Sequence, residues 1–492
     1  MVTTAPMVNM VREMILANRV RGVIGANAVR GVIGTIGVRT DPAVIVRAAP
    51  NAHADSNTQS LLLPHRSTMR FVIVNLCLGF ISLGIIPEAH IRAEDWPQFL
   101  GPDARARSTE TVPTVWDDTR NVQWIADLPG TGSSSPIVVG DRVVVTCHID
   151  QPEPMRRVIG FQKSDGKQLW SLDFPIDYRE DPYRGYITEH GYASNTPVSD
   201  GESIFVFLGK GGVHRVTMDG QLKWSVDVGK QSANRQWGSA SSLITYGDTV
   251  IVNASEESRS IIALDKQTGK EVWRQEANML ELTYGTPRIV KATGGDELVI
   301  NVPEEMWSLN PTTGKLNWYA ASPMTGNVSP SVVVDGDTIY GFGGFRAAGS
   351  FAVRAGGKDD VTDANVVWTG RSSSYVATPL LHDGRFYWID DRGIAYCVDA
   401  KNGELVYRER VNDLDGGRPV YASPVLIGGK IYVVTRRSGT LIIEPGETFN
   451  VVAQNRFDND TTDFNATPAV SDGRLFLRSN QALYCIGITT DQ

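Results

Sequence analysis

The chain has 492 residues, 47 basic and 55 acidic side chains, and a formal net charge of −8. Without a cluster of Lys and Arg, an acidic balance of this kind argues against nucleic-acid binding. It favours solubility more than any particular partner.

The first 93 residues stand apart in composition. They contain nine Arg and no Lys, and Val20-Arg21-Gly22-Val23-Ile24-Gly25 recurs as Val29-Arg30-Gly31-Val32-Ile33-Gly34. Biased, repetitive sequence without an amphipathic period does not form a packed core. Met69-Arg70 then precedes an apolar stretch from Phe71 to Ile86, and Ile91-Arg92-Ala93 comes just before an abrupt polar change at Glu94. This is the pattern of a secretory signal peptide. The apolar run is short for a membrane span, which needs about 20 residues. The expected organisation is an over-extended start or disordered leader over 1–68, with translation beginning at Met69, a signal peptide over 69–93, and a single exported domain over 94–492. Retention of the apolar run as an anchor is the alternative. Cys77 follows Leu76, not a small residue, so it does not read as a lipid-anchoring cysteine. The location expected is periplasmic or secreted, with no stable membrane span once the signal is cleaved.

Residues 94–492 carry 38 basic and 51 acidic side chains, and they are written as a repeat. A Ser/Thr-Pro pair or a degenerate form of it opens a short apolar run eight times: Ser135-Pro136, Thr196-Pro197, Ser241-Ser242, Thr286-Pro287, Ser329-Pro330, Thr378-Pro379, Ser423-Pro424 and Thr467-Pro468. The second residues of these pairs are 61, 45, 45, 43, 49, 45 and 44 apart. A period near 45 carried by strands predicts an all-β fold, an eight-bladed β-propeller of four-stranded antiparallel blades. The first interval holds one long insertion.

Blade six is the cleanest copy. Thr378–His382 is the innermost strand, entered through a Pro that fits only at a strand's first residue or edge. Asp383-Gly384 turns the chain, Arg385–Ile389 returns, Ile394–Asp399 is the third strand, and Asn402-Gly403 leads to an outer strand from Glu404. Fourth strands carry a Trp at 170, 224, 273, 318 and 368, which is expected to fill the wedge between twisted sheets. The last blade stops after Ala482–Ile486 with no outer strand, and Asn121–Ile125, with Trp124, supplies it from the N-terminal side. Closing the ring in this way removes exposed edges. Cys397 and Cys485 occupy matching positions two blades apart, beyond disulfide reach. With Cys147 they are expected to be small buried hydrophobes.

The segment Ala263-Leu264-Asp265-Lys266-Gln267-Thr268-Gly269-Lys270-Glu271-Val272-Trp273, with its counterparts in the other blades, resembles the pyrroloquinoline-quinone (PQQ) repeat, and the resemblance covers nearly all of 121–487. Trp96–Pro102 is similar to the leader segment of exported PQQ-like propellers. The resemblance implies a quinoprotein-like fold whose members include alcohol dehydrogenases, the propeller lipoprotein of the outer-membrane barrel-assembly machinery, and sensor modules. Dehydrogenases of this family hold PQQ against a vicinal Cys-Cys disulfide and a Trp, with Ca²⁺ beside it. No Cys-Cys pair exists here, although Trp237 is available as a stacking surface.

Links between strands two and three, and between blades, vary in length, notably Ser171 to Tyr192, Cys147 to Arg157, Asn253 to Ser260 and Gly341 to Ser350. Such loops are where rigid scaffolds place function. An aromatic precedes six innermost strands: Tyr192, Trp237, Tyr284, Tyr375, Tyr421 and Phe464. These residues either ring the channel mouth and stack a planar ligand or pack the blade entrances. No catalytic residues and no metal ligands are assigned; His190, on the longest loop, is expected to make a structural hydrogen bond. The expected function is an exported, non-enzymatic scaffold, a monomer that binds a cell-envelope protein, peptide or glycan through its loop-rich face. The alternative is a PQQ-dependent oxidoreductase of alcohols or sugars, using PQQ with Ca²⁺ in a non-standard site.

Overall fold

The computed structural model describes residues 95–415 and 417–488. The expected start at Met69, the signal segment and Cys77 lie outside these residues. No helix among the described residues is long and apolar enough to cross a membrane.

Eight sheets, each built on four antiparallel strands that are sequential or near-sequential in seven of them, form an eight-bladed propeller, and two of the sheets add a fifth, parallel strand. Blade six follows the sequence closely, with strands Leu380–His382, Arg385–Ile389, Ile394–Asp399 and Leu405–Arg410. The middle strands of a blade are buried on both faces and rich in Val, Ile and Phe, as in Ser203–Phe207. Outer strands such as Gln168–Pro175 alternate exposed and half-buried residues, because successive side chains point to opposite faces of the sheet and one face is the more solvated. Ring closure follows the expected route: Val122–Asp127 pairs antiparallel with Ala482–Ile486 as the outer strand of blade eight. Cys147, Cys397 and Cys485 are free and buried.

A belt of hydroxyls ties the innermost strands together. The backbone N–H of Ser135 donates to Thr196 Oγ1, that of Thr196 to Ser242, and so on through Thr286, Ser331, Thr378, Ser423 and Thr467, seven bonds of 2.9–3.0 Å from blade to blade. The belt corrects two of the eight repeat alignments. In blade three the repeat hydroxyl is Ser242, not Ser241, and in blade five it is Ser331, not Ser329. Leu243 and Val332 therefore stand where the other blades have Pro. Blade three thus keeps the hydroxyl and varies only the following residue.

The outer-strand Trp residues join neighbouring blades. Trp124, Trp170, Trp224, Trp273 and Trp368 each donate their indole N–H to a carbonyl in the following blade, at Lys163, Met218, Lys266, Pro311 and Ala400, over 2.9–3.0 Å. Each ring also lies against a turn glycine of that blade. Gly166, at φ +72, is typical, since a Cβ there would sit 2.5 Å from the Trp124 ring. Trp318 departs from the pattern: its indole donates to Glu297 of its own blade at 2.8 Å. The following blade has replaced the tight turn with an insertion whose residues Asp359–Asp360 pair parallel with Trp318–Tyr319.

The segment before the closing strand was unexpected in its path. Trp96 exchanges backbone bonds with Val138 of blade one, and Ser199 of blade two donates to Pro97 O. Arg288 of blade four donates to the carbonyls of Asp103 and Ala104. Arg107–Ser108 pairs parallel with Leu426–Ile427, the inner edge of blade seven. Residues 95–110 thus run along the channel and touch innermost strands from several blades. They line a cavity of about 1050 Å³ at the end where the tight turns of strands one and two lie, among them Asp383-Gly384 and Asp472-Gly473.

Candidate functional site at the channel mouth

At the opposite end of the channel the connections between blades converge on a second cavity of about 160 Å³. Seven of the belt hydroxyls named above, together with Ser135, lie around it, and Phe99 from the channel segment reaches its lining. Its aromatic walls come from five separate stretches of chain: Tyr186, Trp237, Tyr284, Tyr375 and Tyr421.

The long insertion of the first interval provides Tyr186 and a short helix, Ile187–His190, that reaches across the mouth. The Tyr186 ring meets Trp237 edge-on at 4.5 Å and Tyr375 at 5.8 Å. On the far side Glu189 pairs with Arg436 of blade seven, and the Asn465 amide donates to Glu189 O at 2.7 Å. Arg436 also pairs with Asp463. The insertion is held at its other end by the buried Lys210–Asp181 pair at 2.8 Å and by the Tyr192 hydroxyl, which donates to Asp181 O at 2.6 Å.

His190 sits between two partners. Its Nε2 faces the Trp237 carbonyl at 3.0 Å and its Nδ1 faces Ser194 Oγ at 2.6 Å. A carbonyl only accepts, so Nε2 carries the proton and Nδ1 accepts from the serine. Burial pushes the imidazole down to about 4. The residue therefore makes the structural bond expected of it, fixing the backbone on which Trp237 is mounted. Ser194 and His190 have the outline of a nucleophile and its base, but an imidazole this weakly basic takes a serine proton poorly at neutral pH.

Guanidinium groups flank the aromatics. Arg418 lies 4.2 Å from the Tyr186 ring centre, Arg436 5.2 Å from Tyr421 and Arg235 5.6 Å from Trp237. Arg418 also reaches the Tyr421 hydroxyl at 3.5 Å. Burial pushes the Tyr421 phenol up to about 12 and the Tyr186 phenol higher still. Behind the wall, the carboxyl of buried Glu256 faces the Tyr284 hydroxyl, and burial lifts both Glu256 and Glu257 to about 8.

A family model described as outer membrane protein assembly factor BamB, built on the PQQ repeat, matches residues 154–409. The chain belongs to this PQQ-repeat propeller family. Among curated members, BamB of Alkalilimnicola ehrlichii is 27% identical over 237 residues, 42% of this chain and 48% of that protein. The chain thus spans about half the length of the curated relative it matches. The crystal structure of BamB from Moraxella catarrhalis has a TM-score of 0.51 at 15% identity, covering 70% of this chain and 97% of that one. The computationally designed protein Ika8 has the same TM-score at 11% identity, covering 74% and 99%. At these identities the likeness to the two solved structures is one of fold.

Within this PQQ-repeat propeller, four of the six aromatics singled out in the sequence, Trp237, Tyr284, Tyr375 and Tyr421, meet in one lining. The other two lie outside it. Tyr192 packs against His148, Tyr183 and Arg156, and Phe464 stacks on Phe457 and Tyr484 in the core. Tyr186, Arg418 and Phe99 were missed, because none precedes an innermost strand at the repeat position. The one available signal was the unusual length of the first interval, which marks the insertion carrying Tyr186.

Proposed function

We propose that this protein is an exported, non-enzymatic scaffold of the cell envelope that docks a protein partner through the loop-rich face. The observation that carries the reading is the chemistry of the channel mouth. Aromatic faces, hydroxyls and amides line it and no Asp or Glu does so among the described residues. Its imidazole is committed to Ser194 and the Trp237 carbonyl. Such a lining is suited to recognising and holding a partner, and it offers no carboxylate for acid–base work among the described residues. Membership of a family whose model is described as an outer membrane assembly factor supports an envelope protein as the partner class.

The competing reading, oxidation of an alcohol or sugar through PQQ and Ca²⁺, asks the mouth for an oxygen cage. Ca²⁺ takes six to eight oxygen ligands, usually with carboxylates among them. The side-chain oxygens in the lining are the amides of Asn327 and Asn465, serine and threonine hydroxyls and tyrosine phenols, with no carboxylate among the described residues, and this set does not fit that requirement. Two experiments test the proposal. A pull-down from envelope extract, with a variant lacking residues 176–190 as control, should capture a protein that the control does not. Titration with PQQ and Ca²⁺ should give no stoichiometric binding and no dye-linked turnover; tight binding with turnover would overturn the reading.

A further inference from the structure

We propose that the channel mouth is a socket for a single aromatic side chain of the partner, presented on an acidic segment. The inference rests on the docking reading above and says what is docked. Size is the first argument. A cavity of about 160 Å³ is close to the roughly 150 Å³ that accommodates one benzene ring. The space suits one phenyl or phenol ring, not a fused polycyclic ligand.

The walls are the second argument. Tyr186, Trp237 and Tyr375 are half-buried, so part of each ring is reachable from solvent. Trp237 and Tyr284 lie 6.2 Å apart with planes inclined by 30°, and Tyr186 stands edge-on to Trp237. An entering ring would find both the offset-stacked and the edge-to-face geometry that aromatic pairs prefer.

Charge supplies the third argument. Arg418 stacks on Tyr186, and no carboxylate among the described residues lies within ion-pair distance of it; Asp391 is the acid facing it from further away. Arg235, over Trp237, likewise has no ion pair among the described residues. Arg436 is already paired with Glu189 and Asp463. Two guanidinium groups beside the socket, neither in an ion pair among the described residues, favour a segment with carboxylates flanking the ring.

The test uses the full chain labelled with 5-fluorotryptophan, the Trp237 resonance being assigned with Trp237→Phe. The probes are two blocked pentapeptides, acetyl-Gly-Asp-Phe-Asp-Gly-amide and the same peptide with Ala for Phe, and a third with Ser for both Asp. The Phe peptide should shift the Trp237 resonance saturably and the Ala peptide should leave it in place. Trp237→Ala should weaken binding by about 5- to 150-fold, the stacking range for aromatic platforms. Arg418→Gln should remove a preference of about two- to fivefold for Asp over Ser flanks, as for an exposed ion pair. Ala240→Trp, which fills the socket from within, should abolish the shift; if that variant fails to fold, the Trp237→Ala affinity decides. Equal responses to the Phe and Ala peptides would overturn the proposal. In the envelope pull-down, capture retained by Ala240→Trp removes the socket but leaves docking intact. A wild type that captures nothing removes the docking reading, whereas the peptide result stands on its own.

Discussion

Replacing Trp124 by Ala tests how the ring is closed. The indole is 92% buried, bonded to Lys163 O at 3.0 Å, and covered by Gly166 of blade one. Truncating a buried Trp costs about 3–5 kcal/mol; the Lys163 carbonyl keeps a second donor in the Arg474 guanidinium at 3.0 Å, so losing the indole N–H adds no unsatisfied acceptor. A domain of about 390 residues gains on the order of 0.8 kcal/mol/K of entropy on unfolding, so a loss of about 3–5 kcal/mol should lower Tm by roughly 4–6 °C by calorimetry. The closing strand is bound to blade eight only by non-covalent pairing, so its release exposes two sheet edges at once and the loss should be global. A double-mutant cycle sharpens the test. Gly166→Ala places a methyl 2.5 Å from the Trp124 ring and holds a non-glycine residue at φ +72. The backbone strain, about 1–3 kcal/mol, persists in either background, but the collision disappears with the ring. Gly166→Ala should therefore cost markedly less beside Trp124→Ala than alone. Costs that add to within about 0.5 kcal/mol would refute docking of Trp124 onto blade one.

Four further outcomes are expected. Glu256 and Glu257 bind protons in the fold up to about pH 8, against an ordinary value of 4.5, so their contribution to stability is complete below about pH 4.5 and is lost as pH rises through 8. Glu256→Gln should match the wild type near pH 4.5 and exceed it by roughly 2–4 kcal/mol at pH 8 to 9 in urea unfolding; parallel pH profiles would contradict this. His190 and His214, lowered to about 4 by burial, act in the opposite sense, and the stability they contribute above pH 6.5 is lost as pH falls towards 4. Thr286→Val should cost about 1–3 kcal/mol, because the buried Ser242 N–H loses the acceptor it holds at 2.9 Å, and Thr286→Ser should recover most of it. Trp237→Ala, at a half-buried site, should change Tm by less than Trp124→Ala does, because its neighbours are the open mouth and not a blade interface; an equal drop would make Trp237 a packing residue.

Much of the ring was legible from residues alone. Asp383-Gly384 and Asn402-Gly403 bounded the strands of blade six, and the missing outer strand of blade eight pointed to Trp124. Two repeat alignments were not recoverable in this way. Ser241 and Ser242 are adjacent, Ser329 and Ser331 flank a Pro, and only the hydrogen bond from the preceding blade distinguishes which hydroxyl belongs to the belt. The site was half legible: Trp237, Tyr284, Tyr375 and Tyr421 follow the repeat into the mouth, but Tyr192 sits at the same kind of position and points its hydroxyl to Asp181. The path of residues 95–110 through the channel had no repeat signal, since its contacts are backbone bonds, the carboxylates of Asp95 and Glu110 on backbone N–H groups, buried Trp96 and Leu100, and one buried Arg288.

By itself the sequence determined the period, the number of blades and the closure, because strands, turns and outer-strand Trp residues within a repeat are governed by neighbours a few residues away and are written afresh in every copy. Only the tertiary structure decided what stands at the axis. Glu189 and Arg436, 247 residues apart, meet there because a closed ring brings every inter-blade loop to one mouth. Which side chains reach across that mouth depends on loop length and direction, which the repeat leaves free.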